Sequence, residues 1–203
     1  MLIMNKFILL LLLTAFGLSC SAQDIALPSP VKTGGKPLME ALNERQSSRE
    51  FSEQKLSEQT LSDLLWAAYG FNRDDKRTAP SANNRQEFII YVVMESGVYV
   101  YDAKENKLIE KVKGDFRAKT GTQDFVAVAP LNLVYVADSD KANERTVGAD
   151  CGYISQNVYL YCASAGLATV VRGMFNDDEV REALQLAENE MPILTQTVGH
   201  FKE

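Results

Sequence analysis

The chain of 203 residues has few of the side chains on which metal sites and hydrolytic sites depend. It contains one histidine, one tryptophan and three cysteines. Three cysteines cannot build a disulfide framework, and one histidine cannot supply the clustered ligands of a typical zinc site. A serine–histidine–aspartate triad would have to use His200, close to the end of the chain. The sequence therefore predicts no metal site and no catalytic histidine.

The chain also lacks an excess of basic residues. Its 21 lysines and arginines face 27 acidic residues, which gives a formal charge of −6. Proteins that bind nucleic acid through its phosphates usually carry a basic excess, so no nucleic-acid partner is expected. With 24% charged and 46% hydrophobic residues, the composition is typical of one globular domain with a sizeable core.

Residues 1–22 have the pattern of a targeting segment. Lys6 precedes an apolar run that extends to Leu18 and is followed by small residues. This run is shorter than the roughly 20 residues of a membrane-spanning helix. We therefore predict a secretory signal peptide that ends at Ala22, export to the periplasm, and no membrane span after its removal. Lipidation of Cys20 and an uncleaved anchor are the two alternatives.

The rest of the chain divides into an arm and a domain. Residues 23–36 are rich in proline, glycine and small polar residues and are interpreted as an extended arm, before a domain at 37–203. Apolar periodicity predicts helices at 37–46, 58–70, 143–166 and 177–188, and strands at 88–94, 98–102, 133–137, 167–171 and 193–198. Residues 71–86 show no periodicity and are predicted to form a loop. Because helices and strands do not alternate regularly, the fold class is α+β.

The helix predicted at 143–166 is apolar on nearly every face, which indicates burial in a core or in an oligomer interface. We expect it at the centre of a homodimer, so that a Val158→Asp change would separate the subunits. Cys151 and Cys162 lie in this helix about 16 Å apart along the axis, too far to pair within it. Both are predicted to be small buried residues.

Three polar clusters lie where loops meet regular elements. Arg45 and Arg49 flank Ser47, and guanidinium groups match phosphate or carboxylate oxygens bidentately. Residues 80–86 concentrate amide and hydroxyl groups that can bind the polar edge of a flat heterocycle, and Gly173 would let a ligand approach the backbone closely. Taken singly, an arginine pair is more often a solvated surface, and an asparagine-rich turn is more often only a turn.

The order and spacing of the clusters are more specific than any one of them. Five motifs follow one another along the chain. They are R-x-S-x-R (Arg45, Ser47, Arg49), P-S-x-x-N-x-Q (Pro80, Ser81, Asn84, Gln86), Q-N in the long helix (Gln156, Asn157), G-x-F (Gly173, Phe175) and a final V-G (Val198, Gly199). Over about residues 37–200 this arrangement resembles the nitroreductase family of FMN-dependent α+β dimers, especially its branch of SagB-type dehydrogenases. The resemblance implies a central mixed or antiparallel sheet flanked by helices, with a long buried central helix.

The resemblance also implies a flavin site. Arg45, Ser47 and Arg49 would hold the ribityl phosphate and the pyrimidine edge of FMN. The segment with Pro80, Ser81, Asn84 and Gln86 would contact the isoalloxazine ring from the partner subunit. The backbone of Arg172 and Gly173 would face flavin N5, and Lys202 would stand in for a basic residue that binds phosphate. Two positions depart from the family pattern: Arg172 stands where an acidic residue is common, and Glu87 replaces a proline.

The function implied is that of an FMN-dependent oxidoreductase. It would transfer hydride, by a ping-pong mechanism, between a donor (NAD(P)H or another reductant) and a small electron-poor aromatic, quinone or nitro compound. Because the flavin carries the chemistry, no catalytic side chain is expected. Two alternatives stay open: an exported flavin-binding or small-molecule-binding protein without turnover, and a SagB-type dehydrogenase that oxidises heterocycles.

Overall fold

The computed structural model describes residues 23–203. The predicted signal peptide and Cys20 lie outside the described residues. The helices in the described part of the chain are α1 (Leu38–Glu44), α2 (Glu58–Tyr69), α3 (Phe125–Val128), α4 (Val147–Ala165) and α5 (Asp177–Leu184). The strands there are β1 (Ile25–Ala26), β2 (Phe71–Arg73), β3 (Lys76–Arg77), β4 (Phe88–Met94), β5 (Gly97–Asp102), β6 (Lys107–Lys113), β7 (Leu131–Asp138), β8 (Ala168–Arg172) and β9 (Glu190–Gly199).

Within residues 23–203, seven strands form one sheet in the order β1-β6-β5-β4-β7-β9-β8. Every neighbouring pair in this sheet is antiparallel. The prediction of a mixed or antiparallel sheet is thus resolved as antiparallel. β8 lies at an edge, which leaves its outer side free to contact other parts of the chain.

The sheet is covered on both faces, which explains why its central strands have no polar side. On one face, β4 and β7 pack against α2 and α4 through residues such as Leu133 and Ile154. On the other face, residues such as Val134 pack against Val180 and Leu184 of α5. Strands buried on both faces have continuous apolar sequences. The predicted α+β class is confirmed.

The ends of α2 and α4 follow ordinary capping chemistry. The Ser57 hydroxyl accepts the Thr60 N–H at 3.0 Å at the start of α2, which ends before Gly70. Gly166 ends α4 in the left-handed region, with φ of 69°, a conformation that glycine adopts without strain. α4 starts at Val147 rather than at residue 143, because residues 143–146 form a turn in which the Asn143 carbonyl accepts the Val147 N–H.

The interior of α4 belongs to the core of its own chain. Val158 is 0% exposed there, and Cys151 and Cys162 are free, buried thiols, as the sequence predicts for both cysteines. The choice of Val158 as a residue that only separates subunits is therefore wrong. None of the helices within residues 23–203 has the length and apolar character needed to cross a membrane.

Two segments differ from the sequence prediction. The predicted loop at 71–86 contains the β2–β3 hairpin, which is held by Arg77 stacked 4.1 Å from the Phe71 ring and 4.3 Å from the Tyr69 ring. β6 was not predicted because its sequence is largely charged, with Leu108 as its one fully buried residue. The arm contributes β1, which pairs with β6. In both segments, pairing with a neighbouring strand stabilises a sequence that has only a weak apolar pattern of its own.

Candidate functional site

Residues 45–49, here the Arg45 segment, leave α1 and run beside the edge strand β8. The Arg45 N–H caps α1 by donating to the Ala41 carbonyl at 2.9 Å. The Ser48 N–H donates to the Thr169 carbonyl of β8, also at 2.9 Å. This bond covers part of the sheet edge and fixes where the polar side chains of the segment lie.

Tyr159 of α4 connects the Arg45 segment to β8. Its hydroxyl shares a hydrogen bond of 2.7 Å with the Ser47 hydroxyl and accepts the Val171 N–H at 3.0 Å. The Arg45 guanidinium carbon lies 5.2 Å from the centre of the Tyr159 ring. One aromatic side chain thus positions a hydroxyl, a guanidinium group and the end of a strand relative to one another.

These residues border a cleft of about 620 Å³, here the Arg45 cleft. That volume lies in the ordinary range for small-molecule sites. The lining residues come from the arm, α1, α4, β8 and the chain end: Lys36, Asn43, Glu44, Arg45, Gln46, Tyr159, Cys162, Ala163, Gly166, Leu167, Thr169 and Phe201.

The positive charges of the Arg45 segment and of the cleft beside it differ in how they are compensated. Lys36 forms a salt bridge with Glu44. Within residues 23–203, neither Arg45 nor Arg49 forms a salt bridge. Both guanidinium groups are therefore available to bind an anionic ligand, because no internal ion pair has to be broken first.

Residues 80–86, here the Pro80 loop, form a second polar region. Asn83, Asn84 and Gln86 have φ values of 54°, 54° and 49°, in the left-handed region that asparagine tolerates better than most residues. The Ser81 hydroxyl accepts the Gln86 N–H at 2.9 Å, which closes the loop. The backbone of the loop is thus held in a conformation that it would rarely adopt alone.

The exposed side of the Pro80 loop borders a depression of about 250 Å³, lined by Asn72, Arg73, Lys76, Arg77, Thr78, Ala79, Pro80, Ser81 and Asn84. This depression has no lining residue in common with the Arg45 cleft. Within one described chain, the residues predicted for the two sides of a flavin therefore do not meet in one cavity.

Gln86 has a supporting position within the Pro80 loop. Its side-chain oxygen accepts the Arg77 Nε–H at 2.9 Å, and its amide nitrogen donates to the Asp75 carbonyl at 2.6 Å. Both bonds tie the loop to the β2–β3 hairpin. The Gln86 side chain thus orients neighbouring residues from within the fold.

The Arg172 side chain is buried beneath the 3₁₀ helix Arg117–Thr120 rather than lying in the Arg45 cleft. Its guanidinium donates to the Thr120 carbonyl at 3.0 Å and to Asn132 Oδ1 at 3.1 Å. Burial lowers the pKa of Arg172 to about 10, so the group stays charged at neutral pH. Only the Arg172 backbone can have the flavin-facing position that the family pattern implies.

The Arg172 guanidinium requires a glycine at position 121. A Cβ atom on Gly121 would lie 1.8 Å from Arg172 Nη1. We expect Gly121→Ala to break the bonds to Thr120 and Asn132 and to lower the free energy of unfolding by about 1–3 kcal/mol, measured by urea denaturation. Gly148→Ala is the matched control, since a Cβ there meets nothing within 4 Å. Equal unfolding midpoints for Gly121→Ala and the wild type would show that the guanidinium relocates at no cost.

The remaining predicted residues lie at the surface. Gly173 is exposed, and a Cβ there would approach the chain no closer than 3.7 Å, at Leu194. The chain itself therefore leaves open space at this backbone. Lys202 is exposed and follows Phe201, which lines the Arg45 cleft.

Sequence reasoning missed three cleft residues: Lys36, Tyr159 and Phe201. Tyr159 has the spacing of a core residue in an apolar helix, so its polar contacts left no signal in the sequence. Lys36 was assigned to the extended arm, although two glycines directly before it could have indicated a close approach. A Cβ on Gly35 would lie 2.6 Å from the Ser164 hydroxyl of α4.

Comparison with known proteins agrees with this fold. The family described as "Nitroreductase family" matches residues 42–200. A curated nitroreductase of Methanocaldococcus jannaschii is 34% identical over 181 residues, which cover 80% of this chain and 90% of that protein. A crystal structure of a nitroreductase from Ralstonia eutropha JMP134 aligns with this chain with a TM-score of 0.83 and 44% sequence identity. The alignment covers 89% of this chain and 90% of the chain in that structure.

A more distant structure shares the fold alone. It is a nitroreductase from Desulfovibrio desulfuricans in complex with FMN, with 19% identity and a TM-score of 0.63, over 84% of this chain and 89% of that chain. The family match spans most of the chain, and the chain belongs to the nitroreductase family. The protein is therefore an FMN-dependent oxidoreductase, and family membership implies a small-molecule substrate and a nicotinamide electron donor.

Proposed function

We propose that the Arg45 cleft is the FMN site of this protein. The observation that carries the proposal is the guanidinium group of Arg45, which lines a cleft of cofactor size and has no acidic partner within residues 23–203. Arg49, four residues further along the same segment, also lacks an acidic partner there. Arg45 and Arg49 bind the FMN phosphate bidentately, and Ser47 donates to a polar oxygen of the cofactor. Lys202 contributes a further, weaker positive charge near the FMN phosphate.

The backbone of Arg172 and Gly173 would hold the ring of the flavin. Backbone N–H groups at Arg172 and Gly173 can reach the N5 side, because no side chain covers Gly173. Tyr159 keeps the two ends at a fixed spacing, since it bonds both Ser47 and the Val171 N–H.

The second wall of the site comes from the Pro80 loop of another copy of the chain. Pro80, Ser81 and Asn84 contact the ring from the partner subunit, with Gln86 supporting them. The separation of the two depressions within one chain favours this arrangement, as does the exposure of large apolar residues on α1 and α4. Exposed apolar surface of this kind is typical of interfaces. The protein is accordingly a homodimer with two flavin sites.

The reaction we propose is hydride transfer between a donor, NAD(P)H or another reductant, and a small electron-poor aromatic, quinone or nitro compound. FMN, when bound, supplies the two-electron chemistry. The protein binds the phosphate, orients the ring and leaves one open face at which donor and acceptor bind in turn, which gives ping-pong kinetics. No side chain of the chain needs to transfer a proton as a general base in this scheme.

We also propose that the enzyme works in the periplasm. The basis is the sequence of residues 1–22, in which Lys6, an apolar run and small residues up to Ala22 follow the order of a signal peptide. Anchoring through a lipidated Cys20 is the alternative arrangement at the same location.

Arginine substitutions test the site directly. We expect Arg49→Ala and Arg45→Ala each to weaken FMN binding by about 1.5–3 kcal/mol, the usual range for a hydrogen bond to a charged group. The measurement is a titration of the apoprotein with FMN, followed by flavin fluorescence. Lys111→Ala, which removes an exposed cation on β6, serves as the charge-matched control. Unchanged affinity in both arginine variants would remove the Arg45 segment from the phosphate site.

A further inference from the structure

Two buried carboxyl groups meet directly beneath the Pro80 loop. Glu87 follows the loop at the start of β4 and is 1% exposed, and Asp150 of α4 is 3% exposed. The two groups lie within hydrogen-bonding reach of each other. Buried carboxylates are ordinarily paired with cations or with several donors, and no described salt bridge includes either residue. The arrangement therefore needs another source of stability.

The two groups differ in their hydrogen bonds. Asp150 Oδ2 accepts the Ala82 N–H of the Pro80 loop at 3.0 Å. Neither Glu87 oxygen accepts a hydrogen bond of ordinary geometry among residues 23–203. A buried carboxylate with no donor is very costly, whereas a protonated Glu87 can donate its O–H to Asp150.

We propose that Glu87 and Asp150 share one proton and act as positioning residues that hold the Pro80 loop in its flavin-contacting conformation. The chain of bonds runs from the Glu87 O–H to the Asp150 carboxylate and on to the Ala82 N–H. Ala82 adjoins Asn83 and Asn84, whose left-handed backbone needs support from its surroundings. This inference rests on the proposed role of the Pro80 loop as the second wall of the flavin site.

The other titratable groups beside Glu87 and Asp150 do not change their protonation near neutral pH. Burial is the main cause that raises the pKa of Glu87, and Asp150 raises it further. The backbone of Glu87 itself and Arg85 on the loop act in the opposite direction. Burial raises the pKa of the Cys151 thiol to about 12, with a further contribution from Glu87. Burial also raises the pKa of Tyr69 to about 12, against the effect of Arg77. Neither the thiol nor the phenol loses its proton near neutral pH.

The direction of the pH effect follows from the raised pKa of Glu87. The stabilisation from the shared proton is complete below the unfolded-state pKa of about 4.3. It is lost as the pH rises through the higher folded-state value, because two buried negative charges then repel each other. Alkaline pH should therefore displace the Pro80 loop and release FMN.

Flavin retention by the holoenzyme tests the proposal. We expect the dissociation constant of FMN from the wild type to rise at least about tenfold as the pH is raised through the elevated folded-state pKa of Glu87. In Glu87→Gln the amide donates permanently to Asp150, so the dissociation constant should change less than about twofold over the same rise in pH. Glu188→Gln, at an exposed carboxyl group, is the control and should follow the wild type.

A second measurement does not depend on the flavin. In the infrared spectrum of the wild type, the carbonyl band of a protonated carboxyl group should persist to a higher pH than for an ordinary glutamate, and this persistent band should be absent from both Glu87→Gln and Asp150→Asn. A wild type without this band, or Glu87→Gln with an unchanged pH profile of flavin release, would overturn the proposal. Failure of the flavin assignment itself has a different signature: Arg45→Ala and Arg49→Ala would bind FMN normally while the carboxyl band persisted.

Discussion

Replacement of Val158 by aspartate is expected to unfold the protein. Val158 is fully buried between the sheet and α2, in the largest apolar cluster of the described chain. An aspartate there would lose the apolar contacts and place a carboxylate without a partner in the core. Such changes cost more than about 4 kcal/mol, a large part of the 5–15 kcal/mol that stabilises a typical domain. Thermal denaturation followed by circular dichroism should show a melting temperature lowered by more than about 10 °C.

Tyr153 provides the control for Val158 on the same helix. It lies five positions earlier in α4 and is 47% exposed. Tyr153→Asp should leave the melting temperature within about 3 °C of the wild type when each protein is compared as a monomer. A folded Val158→Asp variant with a wild-type melting temperature would contradict the placement of this side chain in the core.

The second large effect is expected from α1. Leu38 and Met39 at its start are 62% and 75% exposed, although α1 packs closely against α4. Leu38→Asp combined with Met39→Asp should convert the proposed dimer to monomers and raise its dissociation constant more than about 100-fold, because apolar area is lost and charge is introduced. The isolated fold should tolerate both changes, since acidic residues stabilise the first turn of a helix. Sedimentation equilibrium measures the first effect.

Flavin loss should accompany this dissociation. If the Pro80 loop of one subunit covers the flavin of the other, the monomeric variant should release FMN on gel filtration while its circular dichroism spectrum stays unchanged. Val128→Asp places the same charge at an exposed apolar residue of α3 and should keep both the dimer and the flavin. A monomeric double variant that retained stoichiometric FMN would contradict a site shared between subunits.

Most of the fold could be predicted because its central elements have strong local patterns. β4 was predicted at its observed bounds, since both of its faces are apolar and Ser96-Gly97 marks the following turn. α2 has a serine cap and a glycine end. The strands β2, β3 and β6 escaped prediction because they are very short or largely charged. Pairing with a neighbouring strand stabilises them, and their own sequences show little apolar alternation.

The candidate site divides in a similar way. Arg45 and Arg49 were found because charged residues at fixed spacing form a motif, and the structure leaves both without an acidic partner within residues 23–203. The burial of the Arg172 side chain and the pairing of Glu87 with Asp150 depend on three-dimensional proximity. Asp150 is 63 positions from Glu87 along the chain, and an acidic residue in an otherwise apolar helix could equally have faced solvent. Sequence periodicity says which side of a helix is buried, but not what lies opposite it.

The bonds of Tyr159 have a consequence for how the cofactor is captured. The hydroxyl of this residue links the Arg45 segment to β8 within the protein chain alone, so the two ends of the cleft are spaced before any ligand arrives. A preorganised site loses little conformational entropy on binding, and this loss is one of the main terms that weaken association. Such a rigid receptor can bind flavin at low concentration, because its affinity is not reduced by the ordering of a loop. The backbone of this region should therefore be the same in the apoprotein and the holoprotein. A shorter flavin without the phosphate would occupy only one end of the Arg45 cleft, because the protein alone sets the length of the cleft.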